Sequence, residues 1–515
     1  MPTSQVIKSL NIHNSLTTCG RICLNNKQKR SAMKYLLAFI GLLSIPSYGN
    51  LWIDSSNYQN KTDVQYLSDR GVLNLPVTTF PLLWEPIIEQ LTSQQSSSLN
   101  KAERAAMSRL LESHGQTEDW QLEITARSQV PSLPYTSSGA NGKIETKIGK
   151  SYSNSIVSGR LEADLANGEL GGSYLALSGF NWLAYVAAKD QFWGPGHDLS
   201  LIYGDYGKPL PSIGIQRKNP QAFDLPILEW LGPWSAKAQF SRMESDRAVP
   251  ETLLWSARVN FKPWTFFEMG FTHVSQWGGN GYDSSLGGFL DMLSGHEVCA
   301  NGVDSCDIDD KTRLGNQLAG IDAKLNFNLN SLSFSLYSQV VGEDAPISGI
   351  VPADKVWMYG ASTYVPIDTG VVKVYLEYAD TNRSCTPGSQ VQNCLYEHST
   401  YKSGYRYRGI PIGSQYDNDS SSLVLGLAFN NDLHAIETKL KRLHLNEDDS
   451  DRGSNSLYGG HYLTPIKQEL TVLEYQHKYR YSDNSSLNFS IQSFLSGELT
   501  GADDNTFSLS YHLSL

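Results

Sequence analysis

No stretch of the 515-residue chain holds eighteen consecutive apolar residues. No segment can therefore cross a bilayer as a hydrophobic helix. Hydrophobic residues make up 40% of the chain, and its mean hydropathy is −0.33. The most apolar stretch, residues 35–45, sits behind Met33-Lys34 and ahead of Pro46-Ser47-Tyr48-Gly49. A positive start, a short apolar core and a small-residue exit read as a secretory signal over residues 33–49, with Sec-type export. Residues 1–32 then read as an upstream extension, and residues 1–49 are given no fold.

Positive charge is also scarce. Residues 1–49 carry six basic and no acidic side chains, so the remainder has 35 basic against 52 acidic, a net of −17. An exported chain of that sign is a poor partner for nucleic acid, which binds chiefly through cations on phosphate. Six cysteines are present, and Cys19 and Cys23 leave with the leader. The other four stand in two close pairs, and in an oxidising compartment disulfides Cys299–Cys306 and Cys385–Cys394 are predicted. No histidine lies at zinc-finger spacing from them. The eleven histidines are scattered without a His-Glu-x-x-His pair, and no Gly-x-Ser-x-Gly elbow occurs. Asp304, Asp307, Asp309 and Asp310 crowd one loop, but not at EF-hand spacing. Neither a catalytic centre, a metal nor a cofactor is expected.

What the chain does have is alternation. In residues 506–515 (TFSLSYHLSL) the apolar positions are Phe507, Leu509, Tyr511, Leu513 and Leu515, with Ser508, Ser510, His512 and Ser514 between them. Successive strand side chains face opposite ways, and 9–11 residues is roughly what a tilted strand needs to span a bilayer. From Trp120 onward the pattern recurs in eighteen segments, one of them placed at 226–230. Their connections alternate short and long. Tight turns at 262–264, 328–330, 366–368, 430–432 and 482–484 oppose long stretches at 191–225, 275–315, 342–354, 380–420 and 444–466. Short periplasmic turns opposite long external loops mark an outer-membrane barrel, whose closure removes unpaired edges from lipid. The predicted fold is an all-β transmembrane barrel of about 18 antiparallel strands over residues 118–515. Aromatics near strand ends, Trp234, Trp255, Trp264, Trp357, Tyr364, Tyr378, Tyr475 and Tyr481, fit a boundary girdle.

Residues 50–117 differ. Short helices are predicted at 63–70, 81–90 and 100–113, the last capped by Asn100 and stopped by Gly115. Such helices are marginal alone and imply a small bundle, placed on the periplasmic side because an even strand count returns the chain there.

Sugar recognition needs aromatic faces for pyranose rings and planar polar groups for hydroxyls and carboxylates. Residues 191–225 offer Trp193, Tyr203, Asp205, Tyr206, Arg217 and Lys218, and the next long loop offers Gln276, Trp277, Asn280 and Tyr282. Residues 401–408 alternate aromatic and basic, with Tyr405, Arg406 and Tyr407 at their centre. Trp193 and Trp277, each beside glycine, read equally as turn or packing residues. Glu447, Asp448, Asp449 and Asp451 read as a solvated loop, or as a place where divalent ions bridge to lipopolysaccharide.

A set of fragments also resembles one family. Tyr66-Leu67-Ser68-Asp69-Arg70-Gly71-Val72 with Thr79-Phe80-Pro81-Leu82 resembles the opening of the capsule assembly Wzi family. So do Phe192-Trp193-Gly194-Pro195-Gly196, Trp230-Leu231-Gly232-Pro233-Trp234, Gln276-Trp277-Gly278-Gly279, residues 315–320 (GNQLAG) and Gly342-Glu343-Asp344. The resemblance runs from about Trp52 to Leu515. It implies an eighteen-stranded outer-membrane barrel with a helical bundle, acting as a non-catalytic surface lectin for exported capsular or other extracellular polysaccharide. Outer-membrane lipid, lipopolysaccharide and the export machinery are the further partners expected. The alternative is a porin or channel for oligosaccharides or small solutes, since a barrel this wide can hold an aqueous lumen.

Overall fold

The computed structural model describes residues 49–95, 98–116, 120–131, 133, 143–165, 168–293, 315–343, 355–383, 394–398, 400–449, 461–499 and 505–515. Among them, eighteen antiparallel strands close into one barrel, from Gln121–Arg127 to Asn505–Ser514. Closure is made by the first and last strands, with Gln121 opposite Ser514 and Arg127 opposite Ser508. The side-chain period of two sets the two faces. In Leu253–Trp264, Leu254, Ser256, Arg258, Asn260 and Lys262 point inward and are buried, while Leu253, Trp255, Ala257, Val259 and Phe261 face out. A mostly polar lumen and an apolar exterior follow from this one alternation.

One strand lies elsewhere than the sequence suggested. The wall is completed by Pro211–Arg217, which pairs with Trp182–Ala188 and Trp234–Arg242. Residues 229–231 form a single 3-10 turn instead. Pro220, Pro226 and Pro233 interrupt that region and remove backbone donors a ladder would need. Its apolar residues, such as Ile227 at 80% exposure, project outward at the short-turn end. Pro211–Arg217 was hidden because only Ile213 and Ile215 signal its outward face.

Among the described residues, three helices precede the barrel: α1 (Tyr58–Asp69), α2 (Trp84–Ser93) and α3 (Lys101–Gly115). Asn100 caps α3 and forms a capping box with Glu103. Helix α1 begins five residues earlier than its sequence pattern suggests, with the Asn57 side chain accepting from the Asn60 amide. Residues 60–69 are all buried although most are polar, because α1 lies inside the barrel mouth. Its two carboxylates are matched there. Asp63 is held by Arg109 through two bonds of 2.8 Å. Asp69 takes Lys324 of the wall at 2.7 and 2.9 Å. Tyr364 turns inward and packs on Tyr66 at 5.5 Å, so it is not part of a boundary girdle. Arg70 and Arg109 reach Asn330 and Asp432 in the tight turns, which places these helices at the short-turn end.

The lumen is filled from both ends. After α1 the chain runs inward, and the Glu268 carboxylate accepts from the Val77 and Thr78 amides at 3.0 Å. Thr79–Phe80 then pairs as a short antiparallel ladder with Phe192–Trp193, which descends from the long-loop end. Arg258, halfway along its strand, donates to Thr79 Oγ1 at 2.7 Å and Thr78 Oγ1 at 3.0 Å. The two inward segments therefore meet near mid-barrel.

Candidate functional site

Two segments fold into the barrel from the long-loop end, residues 189–210 and 394–419, and nearly every described side chain in them is buried or half-buried. Tyrosines stitch them together. Tyr405 Oη donates to the Ile202 carbonyl at 2.9 Å, Tyr206 Oη to the Ser414 carbonyl at 2.8 Å, and Tyr396 Oη to the Leu201 carbonyl. Buried phenols need such partners, because an unpaired hydroxyl costs more than the bond returns. Burial raises the ionisation of Tyr206, Tyr396 and Tyr405 well above the phenol range, so they remain donors. Cys394 is disulfide-bonded; Cys299, Cys306 and Cys385 lie outside the described residues, as do the four aspartates at 304–310.

Charge is locked as firmly. Arg406 bridges Glu397 at 2.6 Å and Asp417 at 2.9 Å. Asp198 lies 3.2 Å from both Lys439 and Lys441 and accepts from Tyr416 Oη at 2.6 Å. Burial would raise the Asp198 carboxyl, but Lys441 and Lys439 hold it well below the usual carboxylate range. These contacts fix a floor of packed loops across the outer mouth.

The eight side chains singled out from the sequence divide accordingly. Trp193, Tyr203, Tyr405 and Tyr407 join one buried cluster, with the rings of Trp193 and Tyr203 5.0 Å apart. Arg406 is buried beside them in its ion bridge. Asp205 is half-buried and lines a cavity of about 80 Å³ with Lys61, Lys373 and Lys439. Arg217 lies at the opposite, short-turn end, its guanidinium 3.9 Å from the Trp234 ring centroid and bonded to the Trp234 carbonyl at 2.7 Å. Trp277 faces the outside of the wall, where Phe289 covers it. The structure gathers five of the eight and separates Arg217 and Trp277 from them.

The sequence reading missed where that cluster reaches solvent. The hairpin Arg406–Tyr407 with Ile410–Pro411 carries Arg408 at its tip. Glu169 Oε1 accepts from Lys208 Nζ at 2.6 Å and from Arg408 Nη1 at 2.9 Å, and the Arg408 guanidinium lies 5.4 Å from the Tyr407 ring. The three charged groups are partly exposed. Arg408 ends the aromatic–basic run, a usable signal; Glu169, 39 residues before Lys208 and 239 before Arg408, is brought to both by the barrel's register alone. Behind them a polar cavity of about 380 Å³ extends past Asp190, Lys189 and Glu162 toward Asn57 and Tyr58. Two cations, one carboxylate and a ring edge form an arrangement suited to hydroxyl-rich or carboxylate-bearing ligands.

Asp190 gives this cavity a pH dependence. Burial, with Asp205 adding to it, pushes its carboxyl up to about 8. The folded protein therefore keeps a proton that the unfolded chain releases near pH 4, and stability falls as pH rises from about 4 to 8. Asp190→Asn, which does not titrate, is expected to match the parent at pH 4. At pH 9 it should exceed the parent by on the order of a few kcal/mol, as read from denaturation midpoints in detergent.

Comparison with known proteins follows the same lines. Residues 99–502 match the family model described as capsule assembly protein Wzi. A Klebsiella pneumoniae protein described as an uncharacterized 55.8 kDa protein in the cps region is 29% identical over 360 residues, which is 67% of this chain and 68% of that protein. A solved structure from Escherichia coli is similar in fold at 24% identity, with a TM-score of 0.75 over 90% of this chain and all of that one. That structure is of Wzi, an outer membrane protein involved in group 1 capsule assembly, described as a carbohydrate-binding β-barrel.

Proposed function

The chain belongs to the capsule assembly protein Wzi family, and from that premise we propose that it binds exported capsular polysaccharide at the cell surface as a lectin-like, non-catalytic outer-membrane barrel. The observation that carries this reading is the meeting of Thr79–Phe80 with Phe192–Trp193 in mid-barrel. A barrel whose centre is crossed by packed segments, with one polar cavity left beside them, offers an external surface rather than a wide solute path, and an open porin is the weaker reading. The Lys208–Glu169–Arg408 group beside Tyr407 is the contact point we assign to the polymer. Its two cations favour a glycan carrying carboxylates, and repeated weak contacts along one polymer add by avidity. The periplasmic helices and the export machinery belong to the same proposal, the helices closing the inner mouth.

Retention of purified capsular polysaccharide on the immobilised barrel tests it. The Lys208→Ala, Arg408→Ala double variant is expected to lose about tenfold or more of the retained polymer, corresponding to roughly 1.4 kcal/mol or more. Arg217→Ala, at the opposite end, should retain as much as the parent. Unchanged retention by the double variant would move the contact elsewhere. No retention of acidic or neutral polymers by the parent at low salt would end the lectin reading.

A further inference from the structure

Helix α4 (Leu286–Leu293), in the connection that follows strand Phe267–Trp277, lies on the outside of the barrel. Phe240, Trp255 and Trp277 occupy outward positions of three adjacent strands, with Phe240 opposite Trp255 and Leu253 opposite Trp277. The Phe289 ring sits on all three, 5.1 to 5.3 Å from their centroids. Met292 is buried in the same cluster. The outward-pointing Gln317 of the neighbouring strand donates to the Met292 carbonyl at 2.7 Å. The helix is thus fastened to the external rim of the wall.

A second stripe, beside the one that Phe289 and Met292 bury, is also apolar. Leu286, Leu290 and Leu293, spaced as one helical stripe, are 72%, 55% and 41% exposed. Both stripes need apolar surroundings, and the wall supplies them for only one. We propose that the acyl chains of the outer leaflet supply the other, so that α4 is an interfacial helix set between barrel and lipid. The argument for lipid is continuity: the residues under α4 belong to the same outward face that meets the membrane all round the barrel. The contact widens the membrane-facing surface at one point of the rim, next to the loops that face the polymer, and it does not depend on the lectin reading.

A nitroxide coupled through a ketone-bearing residue at position 290, which uses no cysteine, tests this in phosphatidylcholine vesicles containing lipopolysaccharide. Leu425 on the outward face of strand Ser420–Asn430 serves as the lipid reference, and exposed Lys402 as the aqueous one. Relaxation by oxygen relative to a nickel chelate is expected to match position 425 and to exceed position 402 severalfold. A value equal to that at position 402 would overturn the proposal. So would spin–spin broadening between copies, since a second chain would then be the cover. Should the label at 290 prevent folding, as read by heat-modifiable gel migration, the label at 286 carries the same expectation.

Discussion

Arg258→Met is expected to destabilise the barrel by about 3–5 kcal/mol and to free the segment that fills its centre. The guanidinium is fully buried and grips Asp322 through two bonds of 2.6 and 2.9 Å. Its remaining donors reach Thr272 on the wall and Thr78 and Thr79 on the inward segment. Methionine fills similar volume but leaves the Asp322 carboxylate without a cation, and a lone buried charge costs far more than a pair. The Arg258→Met, Asp322→Leu double variant should recover most of the loss, because both charges go together. Unfolding in detergent followed by tryptophan fluorescence reads the stability. Planar-bilayer conductance reads the second effect: the parent should show no large steady openings, and the single variant should show intermittent ones as residues 77–80 detach. Large steady openings in the parent would favour the channel.

All but one of the strands, and their parity, were legible because an outward face bathed in lipid must be apolar at every second residue, as Phe507 and Leu509 display. The lumen was not legible, for the opposite reason. Inward residues of a wide barrel are polar whether they meet water or a plug, so Ser256, Arg258, Asn260 and Lys262 say nothing of what faces them. The burial of α1 is invisible for the same cause, since YQNKTDVQYLSD looks like a solvated helix until Arg109, Lys324 and Lys262 are brought to it. Aromatics in glycine-rich loops fit sugar stacking and loop packing alike, and for Trp193 and Tyr405 the structure shows packing. Trp277 failed differently: its alternation marks it as outward, but nothing local announced that α4 would fold back over it.

Arg406→Leu carries the second large expectation, a loss of about 3–5 kcal/mol together with loosening of the outer floor. Burial weakens the guanidinium's hold on its proton, but Asp417 and Glu397 more than offset this and keep it above the ordinary arginine range. Both carboxylates are fully buried, and Asp417 also accepts from the Tyr462 amide at 2.7 Å. Leucine would remove the cation that the two carboxylates share, whereas Arg406→Lys keeps one charge but cannot serve both partners with a planar fork. The lysine variant should therefore lose less than the leucine variant, and proteolysis within residues 394–419 should rise in the same order. Arg406 lies two residues from Arg408, so polymer retention separates their roles. Loss of retention at Arg406 should track loss of stability and be restored where lysine restores the fold, whereas Arg408→Ala should lose retention in a barrel whose unfolding is unchanged. Retention lost by Arg406→Leu in a barrel as stable as the parent would instead make Arg406 a direct glycan contact.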